Sequence, residues 1–385
     1  MTNDDLITNK MSHFVGIGLV LGFLLPHTST MLLMVNPILC FFYQCFKSNR
    51  AWYRNNMIVV IAIFVSLLIN IPQGVQSKAI FSSFVILLYF FTFPMVGKLK
   101  IHNTYFYIIL SVILISQLAY ALNISFVVNL MNTYYPFSEE FQNAFEYMQE
   151  NIGRDNVLDF RMGGIYRNSN QCARHITFLL STFLIINHDY SYRKLMPFIL
   201  LSLFGVILSG SRTGFAVASA ILIVFLFVDK RVPSVWRWIL LLVAIVILFT
   251  GSDVFRGLNV LSGFNDSANA KMDTFYYYIT NESSVGRLLL GYLDVSRFNA
   301  QTVAVMTNFD SDYGSLIFSY GFIGFICILV YFFTIFSKMD KFGRIFFVLL
   351  LWMFSATIVK SYRSFFVFML LLSYVYNQHR IIRNN

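Results

Sequence analysis

The stretch Tyr313-Gly-Ser-Leu-Ile-Phe-Ser-Tyr320-Gly321-Phe-Ile-Gly324-Phe-Ile-Cys327-Ile-Leu-Val-Tyr-Phe-Phe-Thr-Ile-Phe336 contains no charged side chain. At the rise of an α-helix it can cross the hydrocarbon core of a bilayer, about 30 Å thick. Its apolar residues are continuous rather than alternating, which suits a helix and not a membrane-spanning β-strand. Ala79 to Gly97, Tyr105 to Asn123 and Trp236 to Gly251 read the same way. The chain as a whole is 57% hydrophobic and 12% charged. A soluble domain carries roughly a quarter charged residues, so lipid is the expected solvent.

Working outward from these runs, helices are expected near 14–26, 30–46, 57–72, 79–97, 105–123, 171–187, 195–209, 213–228, 236–251, 313–336, 342–359 and 363–379. The prediction is an all-α polytopic membrane protein of about 12 transmembrane helices (10 to 13 at the outside), forming a single transmembrane domain over 1–385. Basic residues test the count. Lys47, Arg50 and Arg54, Lys98 and Lys100, Arg193 and Lys194, Lys230, Arg231 and Arg237, Lys338, Lys341 and Arg344, and Arg380 and Arg383 fall on one side. The short loops opposite hold only Lys78, Arg212, Lys360 and Arg363. The positive-inside rule makes the first set cytoplasmic and places both termini there. The net charge of +10 is thus dispersed among loops, and does not form the basic domain of a nucleic-acid binder. Met1 to Lys10 is polar, and no signal-peptide cleavage site is expected after the first apolar run.

Two long extracytoplasmic segments remain, 124–170 and 252–312, and most of the acidic residues lie in them. Each holds an apolar stripe at helical spacing: Phe141, Phe145 and Met148 in the first, and Met272, Phe275, Tyr276 and Ile279 in the second. Both stripes suit amphipathic lids on the membrane surface. Cys40, Cys45, Cys172 and Cys327 lack metal-ligand spacing and read as packing residues.

Three blocks can carry chemistry. The first runs from Arg161 through Gly164-Ile-Tyr-Arg167-Asn168-Ser169-Asn170-Gln171 to Arg174 and His175. Asn168 or Ser169 can cap a new helix, and Asn170 and Arg174 then share a face. An arginine at this depth is costly unless it meets a partner or a wet cavity. Guanidinium binds phosphate in a bidentate way. The second block is the turn Ser209-Gly210-Ser211-Arg212-Thr213-Gly214, where Arg212 serves equally as a snorkelling helix-end residue or as part of an anion site. The third is Asn308-Phe309-Asp310-Ser311-Asp312-Tyr313-Gly314. Its carboxylates suit a helix cap, a general base, a sugar ligand or, as an Asp-x-Asp pair, a divalent metal, for which further ligands are lacking. Gly321 and Gly324 beyond it suggest close helix packing. Arg287, in Ser284-Val-Gly-Arg287, is a further candidate. A phosphate-binding Gly-rich loop, zinc-ligand spacing and a serine nucleophile elbow are all missing. An outward-facing enzyme of this kind needs a substrate already activated in the membrane.

At these blocks the chain resembles the O-antigen polymerase/ligase family of bacterial membrane glycosyltransferases. Gly164-Ile-Tyr-Arg167-Asn168-Ser169-Asn170-Gln171 resembles its Gly-x-x-x-Asn-x-Asn helix start, and Leu208-Ser209-Gly210-Ser211-Arg212-Thr213-Gly214 its Leu-Thr-x-Ser-Arg-Gly/Thr turn. Asp310-Ser-Asp312-Tyr313 with Tyr320-Gly321-Phe-Ile-Gly324 resembles its third block. The resemblance covers roughly residues 160–330. It implies a C-type glycosyltransferase-like bundle in the bacterial inner membrane, needing no metal and no cofactor. Donor and acceptor would both be polyprenyl-pyrophosphate-linked oligosaccharides, and a chain-length regulator is a further candidate partner. The resemblance assigns Arg167, Arg174 and Arg212, with Arg161, Arg287 and Asn170, to the pyrophosphate. Asp310, Asp312 and His175 are the candidate bases. The family's ligases place His where Asp310 or Asp312 stands, and often Glu at Tyr320. This favours a repeat-unit polymerase over a ligase. A flippase for the same lipid-linked sugar is the alternative from another class.

Overall fold

The computed structural model describes residues 16–17, 19–24, 50–75, 77–91, 101–122, 124–134, 162–166, 169–187, 190–228, 234–235, 237–238, 242, 273, 275–280, 284–293, 311–339, 341–355, 364–369, 371–372 and 375. Every regular element among them is helical. In chain order the main helices are α1 (Arg50–Asn70), α2 (Ser77–Phe91), α3 (Asn103–Ala121), α4 (Ser125–Tyr134), α5 (Ser169–Ile186), α6 (Tyr192–Leu208), α7 (Arg212–Val228), α8 (Val285–Leu290), α9 (Asp312–Phe336) and α10 (Lys341–Trp352). Among the described residues, α3 and α9 are long and apolar enough to cross a membrane. The chain divides into two compact units. One comprises Met1–Ser29, Leu99–Phe264 and Val348–Met353, and the other Thr30–Lys98, Asn265–Phe347 and Phe354–Asn385.

In the first unit α5 is buried along nearly its whole length, enclosed by α3, α6 and α7. Its hydroxyls tolerate burial because they bond back to their own helix. Thr177 Oγ1 donates to the Ala173 carbonyl at 2.7 Å, Ser181 Oγ to Thr177 at 2.8 Å and Thr182 Oγ1 to Phe178 at 2.8 Å. None of these three hydroxyls is then left unpaired in an apolar setting. Phe183 stacks on Phe198 at 4.0 Å, with Phe106 against the pair edge-on. At the other end of α5, Asn103 and Asn187 exchange two side-chain hydrogen bonds, both 3.1 Å.

In the second unit α9 packs on α1 and α8. Phe90 meets Tyr331 edge-on at 4.9 Å and Phe365 at 5.5 Å, and Phe332 meets Phe368 at 5.7 Å. The radial pattern of α1 is the reverse of a helix in water. Ser66 and Asn70 are buried, while Ile61, Phe64 and Leu68 are more than half or about half exposed (53%, 50% and 55%). In α3 likewise Ser116 and Gln117 are buried and Ile115 faces out. Polar groups turned inward and paired, with an apolar exterior, is the arrangement expected of helices facing hydrocarbon.

Several boundaries differ from the sequence expectation. The helix expected from 57 starts at Arg50, because the arginines that close the apolar window are themselves good helix formers. The helix expected from 195 starts at Tyr192 and carries Pro197 inside it. Ser125–Tyr134 is helical although it falls in the first expected loop. The stripe at 272–279 is corrected: Phe275 and Ile279 pack with Tyr278, Ile317 and Phe318, whereas Tyr276 is 71% exposed. The face formed by i, i+3 and i+4 leaves Tyr276 on the outside. Gly321 does allow close packing, against the end of α8, but it has a second role. With φ 69° and ψ 179° it interrupts α9. The helix expected at 30–46 and the stripe at Phe141, Phe145 and Met148 lie outside the described residues.

Candidate functional site

The first unit assembles its site around a side chain that the sequence reading passed over. Gln117 of α3 is fully buried. Its amide nitrogen donates to the Met162 carbonyl at 2.9 Å, the Gly205 carbonyl at 3.0 Å and Cys172 Sγ at 3.3 Å. One amide thereby ties α3 to α5, to α6 and to the segment before α5. Two hydrogens shared among three acceptors make a strained but dense knot. Gly205 allows it, since a β-carbon there would press on Leu114 and Ile176 at 2.9 Å. Beside it, Ser116 Oγ accepts from the Ile165 backbone N–H at 3.1 Å. Gly164 has φ 58°, and a β-carbon at this position would overlap Ser116 Oγ. The glycine of the first block therefore serves the turn that leads into α5. Met162 N–H donates to the Leu208 carbonyl at 3.1 Å, so this turn lies beside the end of α6.

Replacing Gln117 by Leu is expected to destabilise the unit by about 2–4 kcal/mol, because two buried carbonyls lose their donor. Part of the loss is offset, since Gln117 Oε1 itself is buried without a hydrogen-bond partner among the described residues. Ser202 Oγ, also buried and unpartnered among the described residues, supplies the control. Ser202→Ala should leave the thermal midpoint in detergent unchanged or slightly raised, and a Gln117→Leu midpoint equal to wild type would dismiss the knot.

The second block forms a short turn into α7. Gly210 adopts φ 62°. Ser209 Oγ donates to the Val206 carbonyl at 2.6 Å and accepts from Ser211 N–H at 3.3 Å. Ser211 Oγ accepts from Gly214 N–H at 3.2 Å, which is the bond of a helix N-cap. A β-carbon on Gly214 would overlap that of Ala173, so the starts of α5 and α7 lie against each other. Arg174 and Arg212, one and two residues from this contact, leave the two helices at the same end of the unit. Arg174 is 3% exposed. Arg212 is half-buried, and its Nε is buried with no hydrogen-bond partner among the described residues. Arg212 is also the first residue of α7, where the helix dipole disfavours a cation. Two helix starts and two arginines lie together here, an arrangement that fits an anion.

His175 lies one residue on, fully buried. Its ring stacks on Tyr166 at 4.5 Å and meets Phe23 edge-on at 5.5 Å. Tyr166 is held by its hydroxyl, which donates to the Phe23 carbonyl at 3.2 Å. His175 Nδ1 lies 2.8 Å from the Gln171 carbonyl. A carbonyl only accepts, so Nδ1 carries a proton, and when the ring is neutral Nε2 presents its lone pair. Asn170 is half-buried in the first turn of α5.

In the second unit Asp312 is the first residue of α9 and is fully buried. Its carboxylate suits the positive end of that helix. Ser311 is the N-cap residue, and its carbonyl accepts from Ser315 N–H at 3.0 Å. Tyr320 does not stand in for a carboxylate: its hydroxyl donates to Ser83 Oγ at 3.1 Å. Arg287, the further candidate of the sequence, lies in a helix and has partners there. It is half-buried in α8, donates from Nη1 to Asn70 Oδ1 at 2.6 Å and lies 4.9 Å from the Tyr292 ring centre. Arg161, Arg167 and Asp310 lie outside the described residues.

The residues missed by the sequence reading, Gln117, Asn70 and Ser66, share one signal. Each is a polar side chain inside an otherwise apolar run, where hydrogen bonding between helices is the expected use. No known protein-family model matches the chain, and no curated protein matches it either.

Proposed function

We propose that this chain is a polytopic glycosyltransferase of the bacterial inner membrane that polymerises polyprenyl-pyrophosphate-linked oligosaccharide repeat units at the outer face. The observation that carries the reading is Arg212 at the junction of two helix starts, with a buried donor that no described side chain or carbonyl satisfies. An unpaired buried N–H costs on the order of 1–3 kcal/mol, a cost that a bound phosphate oxygen removes. In the reaction an acceptor hydroxyl forms a bond to the anomeric carbon of the donor sugar. The bond from that carbon to the pyrophosphate oxygen breaks, and the lipid pyrophosphate leaves with the electron pair. Arg174 and Arg212 hold the charge gathering on the leaving group. His175, through Nε2, receives the hydroxyl proton. The apolar exteriors of α1 and α3 support the membrane setting, and the distribution of basic residues supports an outer site.

Reconstituted protein supplied with a lipid-linked repeat unit alone is expected to yield a ladder of products lengthened by whole repeats. Transfer only to a lipid A core acceptor would instead identify a ligase. Movement of the lipid across the vesicle with no new glycosidic bond would identify a flippase, and either result would refute the polymerase reading.

A further inference from the structure

The end of α3 leads directly into α4, a helix of ten residues within the first outer segment. Ile124 N–H donates to the Ala119 carbonyl at 2.9 Å, and Leu122 N–H to that of Leu118 at 2.8 Å. The first bond ties a residue back across the last turn of the helix, as in a Schellman stop, which turns the chain off the helix axis. α4 therefore does not prolong α3. It starts close to the Gln117 knot, since Gln117 lies four residues, about 6 Å along the axis, before the last residue of α3.

What α4 exposes is apolar. Phe126 is 76% exposed, and Leu130, one turn on, is exposed too. At i and i+4 these two share a stripe, and Ser125 and Asn129 form the stripe beside it. No Asp, Glu, Lys or Arg occurs anywhere from Ile101 to Ser138. A helix on a protein surface in water turns charged and polar residues outward, and an exposed apolar patch marks a partner or a membrane. The patch is also continuous with the outside of α3. There Ile108, Val112, Ile115, Leu118 and Leu122 are all exposed, at the three- and four-residue spacing of a single helix face. The stripe runs down the membrane-crossing candidate α3 and passes through Leu122 and Ile124 to Phe126.

We infer that α4 is an interfacial helix that inserts Phe126 and Leu130 among the acyl chains of the outer leaflet. The inference rests on the membrane setting of the proposed function, and not on its chemistry. Ten residues are too few to cross a bilayer, which takes about 20. They are enough to lie in its surface, with the Ser125 and Asn129 stripe toward the headgroups. Interfacial helices bind through buried apolar area and through attraction of basic residues to anionic lipid. α4 has no basic residue, so the apolar contribution acts alone and headgroup charge is immaterial. A second copy of this chain is the rival occupant. Continuity of the stripe with the exterior of α3 favours lipid, because one solvent then covers both. Held in this way, α4 sets the depth of the Gln117 knot beneath the headgroups.

The test is quenching of tryptophan fluorescence in the full-length protein in phosphatidylcholine nanodiscs, read as the emission each variant adds to wild type. The variants are Phe126→Trp and Leu130→Trp, with Ser125→Trp as the polar-stripe control and Ile115→Trp as the reference within α3. Phosphatidylcholine brominated in its acyl chains should quench the Phe126→Trp and Leu130→Trp signals about threefold or more above that of Ser125→Trp, and aqueous iodide should give the opposite order. Exchanging about a third of the lipid for phosphatidylglycerol should leave both results unchanged. Strong lipid quenching at Ile115→Trp with none beyond the Ser125→Trp level at 126 and 130 overturns the inference and leaves the proposed function intact. So does quenching that needs phosphatidylglycerol, and so does protection from both quenchers, the mark of protein covering the stripe. Failure of both α4 variants to fold would show the stripe packed inside the protein, which also overturns it. Absence of lipid quenching at Ile115→Trp removes the membrane setting, and the proposed function and this inference fall together. Quenching as expected in a protein that makes no polymer supports the interfacial helix and refutes the polymerase reading alone.

Discussion

Arg212→Ala is expected to reduce repeat-unit polymerisation about 100-fold or more, the scale on which loss of one charge-stabilising donor acts in transferases. The protein itself should remain folded. The cap of α7 depends on Ser211, whose Oγ receives Gly214 N–H, and not on the arginine. Removing a cation from the first position of a helix relieves an unfavourable dipole interaction, and removing a buried unpaired Nε relieves a second penalty. Arg212→Ala should thus match or exceed wild type in thermal midpoint while losing activity. That opposite movement of stability and turnover marks a residue kept for a ligand. Arg212→Lys retains the charge but not the planar fork, and should recover only part of the loss. Polymer of normal length from a well-folded Arg212→Ala protein would remove the basis for placing pyrophosphate at the α5–α7 junction. Reduced stability together with reduced activity would instead mark Arg212 as structural.

The sequence was informative wherever a single physical variable decides the outcome. Continuous apolar runs predict helices, and α3 and α9 follow them within two residues at each end. The turn at 209–214 was legible in the sequence, with either Ser211 or Thr213 able to cap the next helix, and in the structure Ser211 is the cap. The roles of Gln117 and Asn70 were not legible. Each satisfies groups far along the chain: Gln117 reaches Met162 and Gly205, and Asn70 reaches Gly291 and Arg287. Local periodicity holds no information on such pairings. Arg287 was named as a candidate, but its partners were not legible for the same reason, since only the fold brings Asn70 and Tyr292 to it. Tyr320 stands where ligases of the resembled family often carry Glu, and in the structure it is a tether to Ser83. His175 was recognised as a titratable residue at a helix start, but its stacking on Tyr166 depends on how the turn at 162–166 folds back over α5.

The second large effect concerns Gly321, and its argument is steric. In the motif Gly321-Phe-Ile-Gly324 the first glycine sits at φ 69° and ψ 179°, a region open to glycine and closed to residues with a β-carbon. A β-carbon added there would overlap the Leu289 carbonyl and the Leu290 nitrogen, backbone atoms that cannot rotate away. Gly321→Ala must therefore expel α8 from the break in α9 or straighten α9 through it. Either movement strips Phe318 and Ser319 of the hydrogen bonds from Tyr292 and Leu293 and separates Ser66 from Leu290. Backbone strain of about 1–3 kcal/mol and several orphaned buried groups at about 1–3 kcal/mol each together approach the whole stability of a typical domain, about 5–15 kcal/mol. The expected result is little folded protein on size exclusion, and a thermal midpoint in any recovered fraction lowered by roughly 10 °C or more. Gly286→Ala is the matched control. It lies in α8 with only Ser284 Oγ near, 3.7 Å from a built β-carbon, and a helical glycine replaced by alanine should gain about 0.5–1 kcal/mol. If Gly321→Ala proved as stable as Gly286→Ala, α9 would have to run unbroken through this position. The docking of α8 would then be lost, and with it the geometry that brings Arg287 to Asn70.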